Sequence, residues 1–242
     1  MRLNRVYCAT PLTPAERVTL RGNAAGHISR VLRLRLGEQL TLFDGTGGEH
    51  SARIESAGGS TVTVTLLEHI TVERESPLTL TLAQGISRGE RMDWVVQKAT
   101  ELGVTRIVPL LTERSVVRLD EKQARKKKEH WSGVCLAACE QCGRNRLPQL
   151  EDPQELSAFL AADPGPTKLL LSPQGEPRLP ALPKDAPAVT VLIGPEGGLA
   201  PAEQQAALAA GFIPVRLGPR VLRTETAAVA ALAVIQREFG DL

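Results

Sequence analysis

From Leu78 onward the sequence alternates between two periodicities, and that alternation restricts the chain to few folds. LTLTLAQG, TRIVPLL, KLLLS, AVTVLIG and FIPVRLG are short runs of strand-forming residues. Helical patterns separate or follow them. Glu90 to Leu102 carries Met92, Val95, Val96, Ala99 and Leu102 at helical spacing, and Gly103 stops it. Residues 120–142 read as one long helix. PQELSAFLAA reads as another, with Pro153 near its start, and PAEQQAALAAG and TETAAVAALAVIQREF as two more. Strands alternating with helices predict an α/β architecture with a mostly parallel sheet.

Two of these units carry Gly-Pro turns at their strand ends: IGPEGGL at 193–199 and LGPRVLRTETA at 217–227. Glycine lets backbone approach a ligand and proline fixes a turn. Ligands of open α/β sheets sit beyond the carboxyl ends of the strands. The lysine and hydroxyl of a phosphate-binding P-loop are missing, and so is the dinucleotide-binding glycine pattern. Glu196 stands where a phosphate would sit. These features favour an uncharged or cationic ligand with ring and hydroxyl groups, and S-adenosylmethionine has that chemistry. Thr224 is expected as the N-cap of the last helix, which accounts for TET in part but leaves LGPRVLR unexplained.

Before residue 71 the reading is β. Val31 to Leu36 alternates as a strand with Leu32, Leu34 and Leu36 on one face and Arg33 and Arg35 on the other. Gly37-Glu38 turns into QLTLF, DGTGGE forms a tight turn, and SARIES and TVTVTLL follow. Thr13-Pro14 is read as the cap of one short helix. Short strands with close turns predict a small barrel. The charged, proline-containing stretch TVERESPL marks the boundary, which divides the chain into 1–72 and 73–242. A net charge of +2 does not by itself point to nucleic acid, and aromatics at 3% leave little for base stacking. No apolar run approaches the roughly 20 residues of a membrane helix. The first residues lack a secretory signal, so a cytoplasmic protein is expected. Cys135, Cys139 and Cys142 with His130 can be read as a metal site, but their spacing places the cysteines on one helix face, where small core residues are the expected role and no metal is expected.

LIGPEGGL and LGPRVLRTETA, together with ERMDWVVQKATELGV and EQCGR, resemble the bacterial 16S ribosomal RNA uracil-N(3) methyltransferases, members of the SPOUT class. HISRVLRLRLGEQLTLFDGTGGE is similar to that family's PUA-like RNA-binding barrel. The family often has serine where Cys142 stands. The resemblance implies a C-terminal trefoil knot, S-adenosylmethionine as cofactor, a homodimer, and methylation of a uridine in 16S ribosomal RNA of the small subunit. Action on transfer RNA or on a ribose 2′-hydroxyl, or a non-catalytic role in ribosome assembly, are the alternatives.

Under that resemblance, Leu171, Ile193, Gly194, Pro195, Glu196, Gly198, Leu217, Gly218, Leu222, Thr224 and Thr226 are the expected cofactor-binding residues. Arg223, Glu225 and Glu196 are the catalytic candidates, with either glutamate as base and Arg223 facing negative charge on the uracil. Helix N-terminal carboxylates are the competing structural reading of the glutamates. Arg30, Arg33, Arg35, Arg144 and Arg220 are the expected RNA contacts, with His27 and Arg53 nearby. Arg118, Lys122, Arg125, Lys126, Lys127 and Lys128 add a basic run on the long helix. Glu140, Arg144 and Asn145 form a second polar cluster, which the resemblance places near the active site. Its structural alternative is a helix end capped at Gly143.

Overall fold

A computed structural model describes residues 4–58, 60–176 and 188–242. The chain divides into two units. One comprises residues up to Glu75 together with Leu136–Leu147, and the other comprises Ser76–Cys135 and Pro148–Leu242.

In the first unit, strands β1 (Arg5–Tyr7), β2 (Arg17–Arg21), β3 (Gln39–Phe43), β4 (Glu49–Gly58) and β5 (Thr61–Ile70) form one sheet in the order β1-β3-β4-β5-β2. The β1–β3 pair is parallel and the others are antiparallel. Alternation along β5 turns Val62, Val64 and Leu66 inward to meet Val6, Leu20, Leu40, Leu42 and Ile54. Among the described residues no pairing joins β1 to β2, so the expected small barrel is a curled five-stranded sheet.

Two expectations fail here. Val31 to Leu36 is not a strand. A short helix α1 (Gly22–Gly26) runs into a π-helix at His27–Leu32, and Arg33 ends it in the left-handed conformation (φ 57°). The two-residue alternation of VLRLRL competes with a helical spacing that starts earlier, at Ala24, Ala25, Ile28 and Leu32. Those residues pack on the sheet core, while Leu36 is 70% exposed. Thr13-Pro14 caps no helix, because the segment is a turn closed by the Glu16 amide donating to the Thr13 carbonyl at 3.3 Å. β1 and β2 are short and rich in arginine, so neither shows a clear strand pattern in the sequence.

Residues 136–147 join this unit through buried charge. The Arg5 guanidinium pairs with Glu49 and donates to the Arg144 carbonyl (3.0 Å) and to Asn145 Oδ1 (2.7 Å). Asn145 Nδ2 donates to the Val72 carbonyl at 2.8 Å, and Arg144 Nε donates to both oxygens of Glu75. Each buried charge has a geometrically matched partner, as buried ions require.

In the second unit, β6 (Thr79–Gly85), β7 (Arg106–Leu111), β8 (Gln149–Leu150), β10 (Lys168–Glu176), β11 (Ala188–Ile193) and β12 (Ile213–Val215) lie in the order β12-β10-β11-β6-β7-β8, and β9 (Gln154–Glu155) also pairs with β7. Every pairing in this sheet is parallel, as expected. Both faces are covered, so adjacent strand residues serve opposite cores. Leu80, Leu82, Ile107, Leu169, Val191 and Ile193 pack against α2 (Glu90–Glu101), the middle of α3 (Glu121–Cys142) and α6 (Thr224–Phe239). Ala83, Val108, Leu110, Leu170 and Leu192 pack against α4 (Leu156–Ala161) and α5 (Pro201–Ala209). The helix expected from Pro153 begins at Leu156, because Gln154 and Glu155 are drawn into pairing with β7. Gln236 ties α6 to the end of α2, donating to the Leu102 carbonyl and accepting from Ser76 Oγ. Among the described residues no helix is long and apolar enough to cross a membrane.

The helical reading of residues 22–32 has a direct check. Ile28 is fully buried, so Ile28→Ala should cost about 2–4 kcal/mol in a denaturant titration, while Leu36→Ala should stay within about 0.5 kcal/mol. A strand with Leu36 on its inner face would give comparable losses.

Candidate active site

β10, β11 and β12 lie side by side, and residues within β10 together with the segments that follow β11 and β12 enclose a cavity of about 540 Å³. Its walls come from Leu170 to Pro173, from Ile193 to Leu199, and from Arg216 to Ala227, with Arg91 entering from α2. The IGPEGGL turn is closed by the Gly198 amide donating to the Pro195 carbonyl at 2.9 Å, with Gly198 at φ +67°, where a side chain is strained. This turn lies directly on the end of β6. A Cβ at Gly85 would stand 2.5 Å from the backbone nitrogen of Pro195, so only glycine fits there.

Thr224 is the first residue of α6 rather than its N-cap; Arg223 takes the cap position, with no side-chain cap hydrogen bond. The Thr224 hydroxyl is engaged elsewhere. It donates to the Gly194 carbonyl at 2.7 Å and accepts from Gln84 Nε2 at 3.0 Å.

Of the residues expected at the cofactor site, Leu171, Ile193, Gly194, Pro195, Glu196, Gly198, Leu217, Leu222 and Thr224 line the cavity, as do Arg223, Glu225 and Arg220. Gly218 and Thr226 do not; Thr226 is exposed on the other side of the first turn of α6. Sequence reading did not assign Arg91, Ser172, Gln204 and Arg216 to the site, and the fold brings them to the cavity. Arg216 and Ser172 stand next to the expected Leu217 and Leu171, and Arg91 lies within ERMDWVVQKATELGV.

Arg91 organises the acidic side of the cavity. Its Nη1 donates to Glu196 Oε1 at 2.9 Å, and its Nε lies 4.0 Å from Glu225 Oε1. Glu196 also accepts the Arg88 amide at 2.9 Å. Partial burial pushes the Glu196 carboxyl up, but the Arg88 and Glu196 amides and the Arg91 guanidinium outweigh it and hold the group below the ordinary carboxylate range. Glu196 is therefore an ionised, already satisfied carboxylate. Arg216 Nε is buried with no hydrogen-bond partner among the described residues.

Arg30, Arg33 and Arg35 are exposed on the first unit, at the end of the helical segment rather than on a strand. Arg53 is exposed on β4. Arg144 departs from its expected role: it is buried against Glu75. Glu140 is buried too, accepting the Tyr7 amide at 3.0 Å, and burial raises its carboxyl above the usual range. On α3, Lys128 pairs with Asp152 and Lys127 lies over the Trp131 ring, so the basic run is partly spent on internal contacts. Cys135 and Cys139 are buried, and His130 bonds Asp93 at 2.7 Å.

Residues 74–236 match the RNA methyltransferase domain family, and residues 20–67 match the RNA methyltransferase PUA domain. The fold and the site thus define an RNA methyltransferase with a PUA domain. The ribosomal RNA small subunit methyltransferase E of Buchnera aphidicola from Schizaphis graminum is 34% identical over 100% of this chain and 98% of its own length. The Neisseria gonorrhoeae protein of the same name, solved bound to S-adenosyl methionine, superposes with a TM-score of 0.93 at 40% identity, covering 99% of each chain. A Legionella pneumophila structure solved with bound SAM gives a TM-score of 0.96 at 44% identity over 100% of both chains. The chain belongs to the ribosomal RNA small subunit methyltransferase E family.

The Glu196 contacts set a pH dependence. A carboxylate with a depressed folded pKa contributes stability above its unfolded value of about 4.3 and loses it as pH falls through the folded value. The difference in melting temperature between the native protein and Glu196→Gln should therefore be constant above about pH 5.5 and shrink as the pH drops below 4. A difference that grows on acidification would show that Glu196 is not held ionised.

Proposed function

We propose that this protein transfers the methyl group of S-adenosylmethionine to nitrogen 3 of a uridine in 16S ribosomal RNA of the small subunit. The observation that carries the reading is the cavity itself: residues of the IGPEGGL and LGPRVLRTETA segments line it together, in a chain that superposes closely on a relative solved with S-adenosyl methionine.

The residues present suit that cofactor. Leu171, Ile193, Leu217 and Leu222 offer apolar surface for an adenosine, and the glycine turn brings backbone close without side chains in the way. The unpartnered Arg216 Nε offers a donor to the carboxylate end. When bound, the cofactor supplies a methyl group on a sulfonium centre, already electrophilic. What remains for the protein is alignment of the ring nitrogen and removal of its proton. Glu196 is occupied by Arg88 and Arg91, so Glu225 is the proton acceptor in this reading. Arg223 faces the charge that develops on the uracil oxygens, and Arg220 holds an RNA phosphate. Residues 1–72 bind RNA through Arg30, Arg33 and Arg35, and residues 73–242 transfer the methyl group. The same reading gives a cytoplasmic homodimer with a C-terminal trefoil knot, as the family resemblance implies.

Labelled cofactor offered to intact small subunits, naked 16S RNA and transfer RNA, followed by nucleoside analysis, tests the proposal. The expected product is 3-methyluridine in the small-subunit RNA. A 2′-O-methyl nucleoside or labelled transfer RNA would replace the proposal with one of its alternatives, and no transfer with no cofactor binding would favour an assembly factor. Glu225→Gln should lower kcat by about 10²- to 10⁴-fold while leaving cofactor affinity within a fewfold. Full activity would remove Glu225 as the base. Replacing Arg30 and Arg35 with alanine should weaken RNA binding and reduce the slope of log affinity against log salt by about 2, and an unchanged slope would place the RNA elsewhere.

A further inference from the structure

We infer that Gln84 is a positioning residue for methyl transfer, fastening the Gly194 turn to the first residue of α6. This rests on the cavity being the cofactor site. Gln84 sits one residue before the end of β6, directly beside Ile193 of β11 in the sheet register. It is fully buried, where an amide is costly unless hydrogen-bonded. Its Nε2 donates to the Gly85 carbonyl at 2.9 Å and to Thr224 Oγ1 at 3.0 Å, and approaches the Gly194 carbonyl at 3.4 Å. Thr224 Oγ1 passes its own hydrogen on to the Gly194 carbonyl at 2.7 Å.

The result is a directed chain, amide to hydroxyl to carbonyl, in which each link polarises the next. The amide orientation is determined by its surroundings. Turned over, Oε1 would face the Gly85 and Gly194 carbonyl oxygens, and the Thr224 hydroxyl could donate to it only by giving up its bond to Gly194.

The other end of the amide shows what the side chain is for. Gln84 Oε1 is buried with no hydrogen-bond partner among the described residues. A side chain selected for packing alone would not carry an orphaned oxygen at this place; leucine would fill it without one. Glutamine is there for its donor. The donor joins two segments that are far apart in sequence, and both line the cavity. One is the turn that would hold the cofactor. The other begins α6 between Arg223 and Glu225. With Thr224 fixed to the Gly194 carbonyl, its neighbours on either side are fixed relative to that turn. The pairing thus sets the spacing between bound cofactor and the groups that handle the uracil, and errors in that spacing are costly to rate.

The test compares Gln84→Leu, Thr224→Val, their double variant and Thr224→Ser with the native protein. The readouts are melting temperature, calorimetric affinity for S-adenosylmethionine, kcat and KM for methyl transfer, and hydrogen exchange at the Gly197 and Gly198 amides without cofactor. Gln84→Leu and Thr224→Val should each lower kcat about tenfold, the size expected for one lost hydrogen bond. Melting temperature should change little and exchange in the turn should quicken. The double variant should be no worse than the poorer single one, because both break the same chain. Thr224→Ser, which keeps the hydroxyl, should restore near-native kcat. Native kcat and affinity in Gln84→Leu, or losses that multiply in the double variant, would overturn the inference. If Gln84→Leu does not fold, native kcat in Thr224→Val overturns it equally. A native protein that binds no S-adenosylmethionine would instead refute the functional reading. The exchange measurement, made without cofactor, still decides whether the fastening exists.

Discussion

The site depends on one constraint of parallel sheets: strands that run the same way end on the same side. β10, β11 and β12 are neighbours in the sheet although their order in the chain differs from their order in space, so the segments that follow β11 and β12 meet beside Leu170–Pro173 of β10. β6, paired with β11, ends there too and supplies Gln84 and Gly85. Everything specific to the site follows from how these four ends are fastened to one another. Gly85 leaves room for the Gly194-Pro195 peptide, and the Thr224 hydroxyl reaches back to it from α6. The helices behind the sheet hold the strands in place through apolar packing. The fastening at the strand ends is polar and directional, which is what a site needing sub-ångström placement requires.

Charge is distributed by the same logic. Four arginines (Arg91, Arg216, Arg220, Arg223) and two glutamates (Glu196, Glu225) line the cavity. Arg91 is spent on the two carboxylates, with one hydrogen bond and one longer approach, and this leaves the cavity with a cationic surplus on its third wall. A surplus of that sign suits a polyanionic substrate next to a cofactor whose own reacting centre is cationic. The first unit sorts its arginines differently. Arg5 and Arg144 are buried with Glu49 and Glu75, where they hold residues 136–147 in the unit, while Arg30, Arg33 and Arg35 stay exposed. Residue type alone does not separate a structural arginine from one that faces a ligand; the carboxylate partner does.

Much of the second unit was legible in the sequence because its strands and helices have unambiguous periods. AVTVLIG and TETAAVAALAVIQREF have no competing reading, and the two Gly-Pro segments announce a ligand site by their chemistry. The first unit was harder to read. VLRLRL satisfies a strand pattern over six residues, but Ala24, Ala25, Ile28 and Leu32 satisfy a helical one over nine, and packing on the sheet decides between them. The site was legible where its residues are contiguous and illegible where the fold assembles them. Arg91 reaches the cavity from α2, and nothing in the helical pattern of ERMDWVVQKATELGV says that this side chain meets Glu196. Gln84 sat in plain view at the end of LTLTLAQG, but its role depends on Thr224, 140 residues away, and no local pattern contains that pairing. Threonine caps helices often, which favours that role for Thr224 in the sequence; its hydroxyl finds a carbonyl on another segment instead.

A crystal structure of the protein with S-adenosylmethionine would show whether these segments hold that molecule. The adenosine is expected against the backbone of 194–199 and 217–222 with Leu171 on its third side, Arg216 at the carboxylate, and the methyl group directed toward Arg223 and Glu225. Cofactor bound away from these segments, or bound among them with its methyl group turned from Arg223 and Glu225, would contradict it.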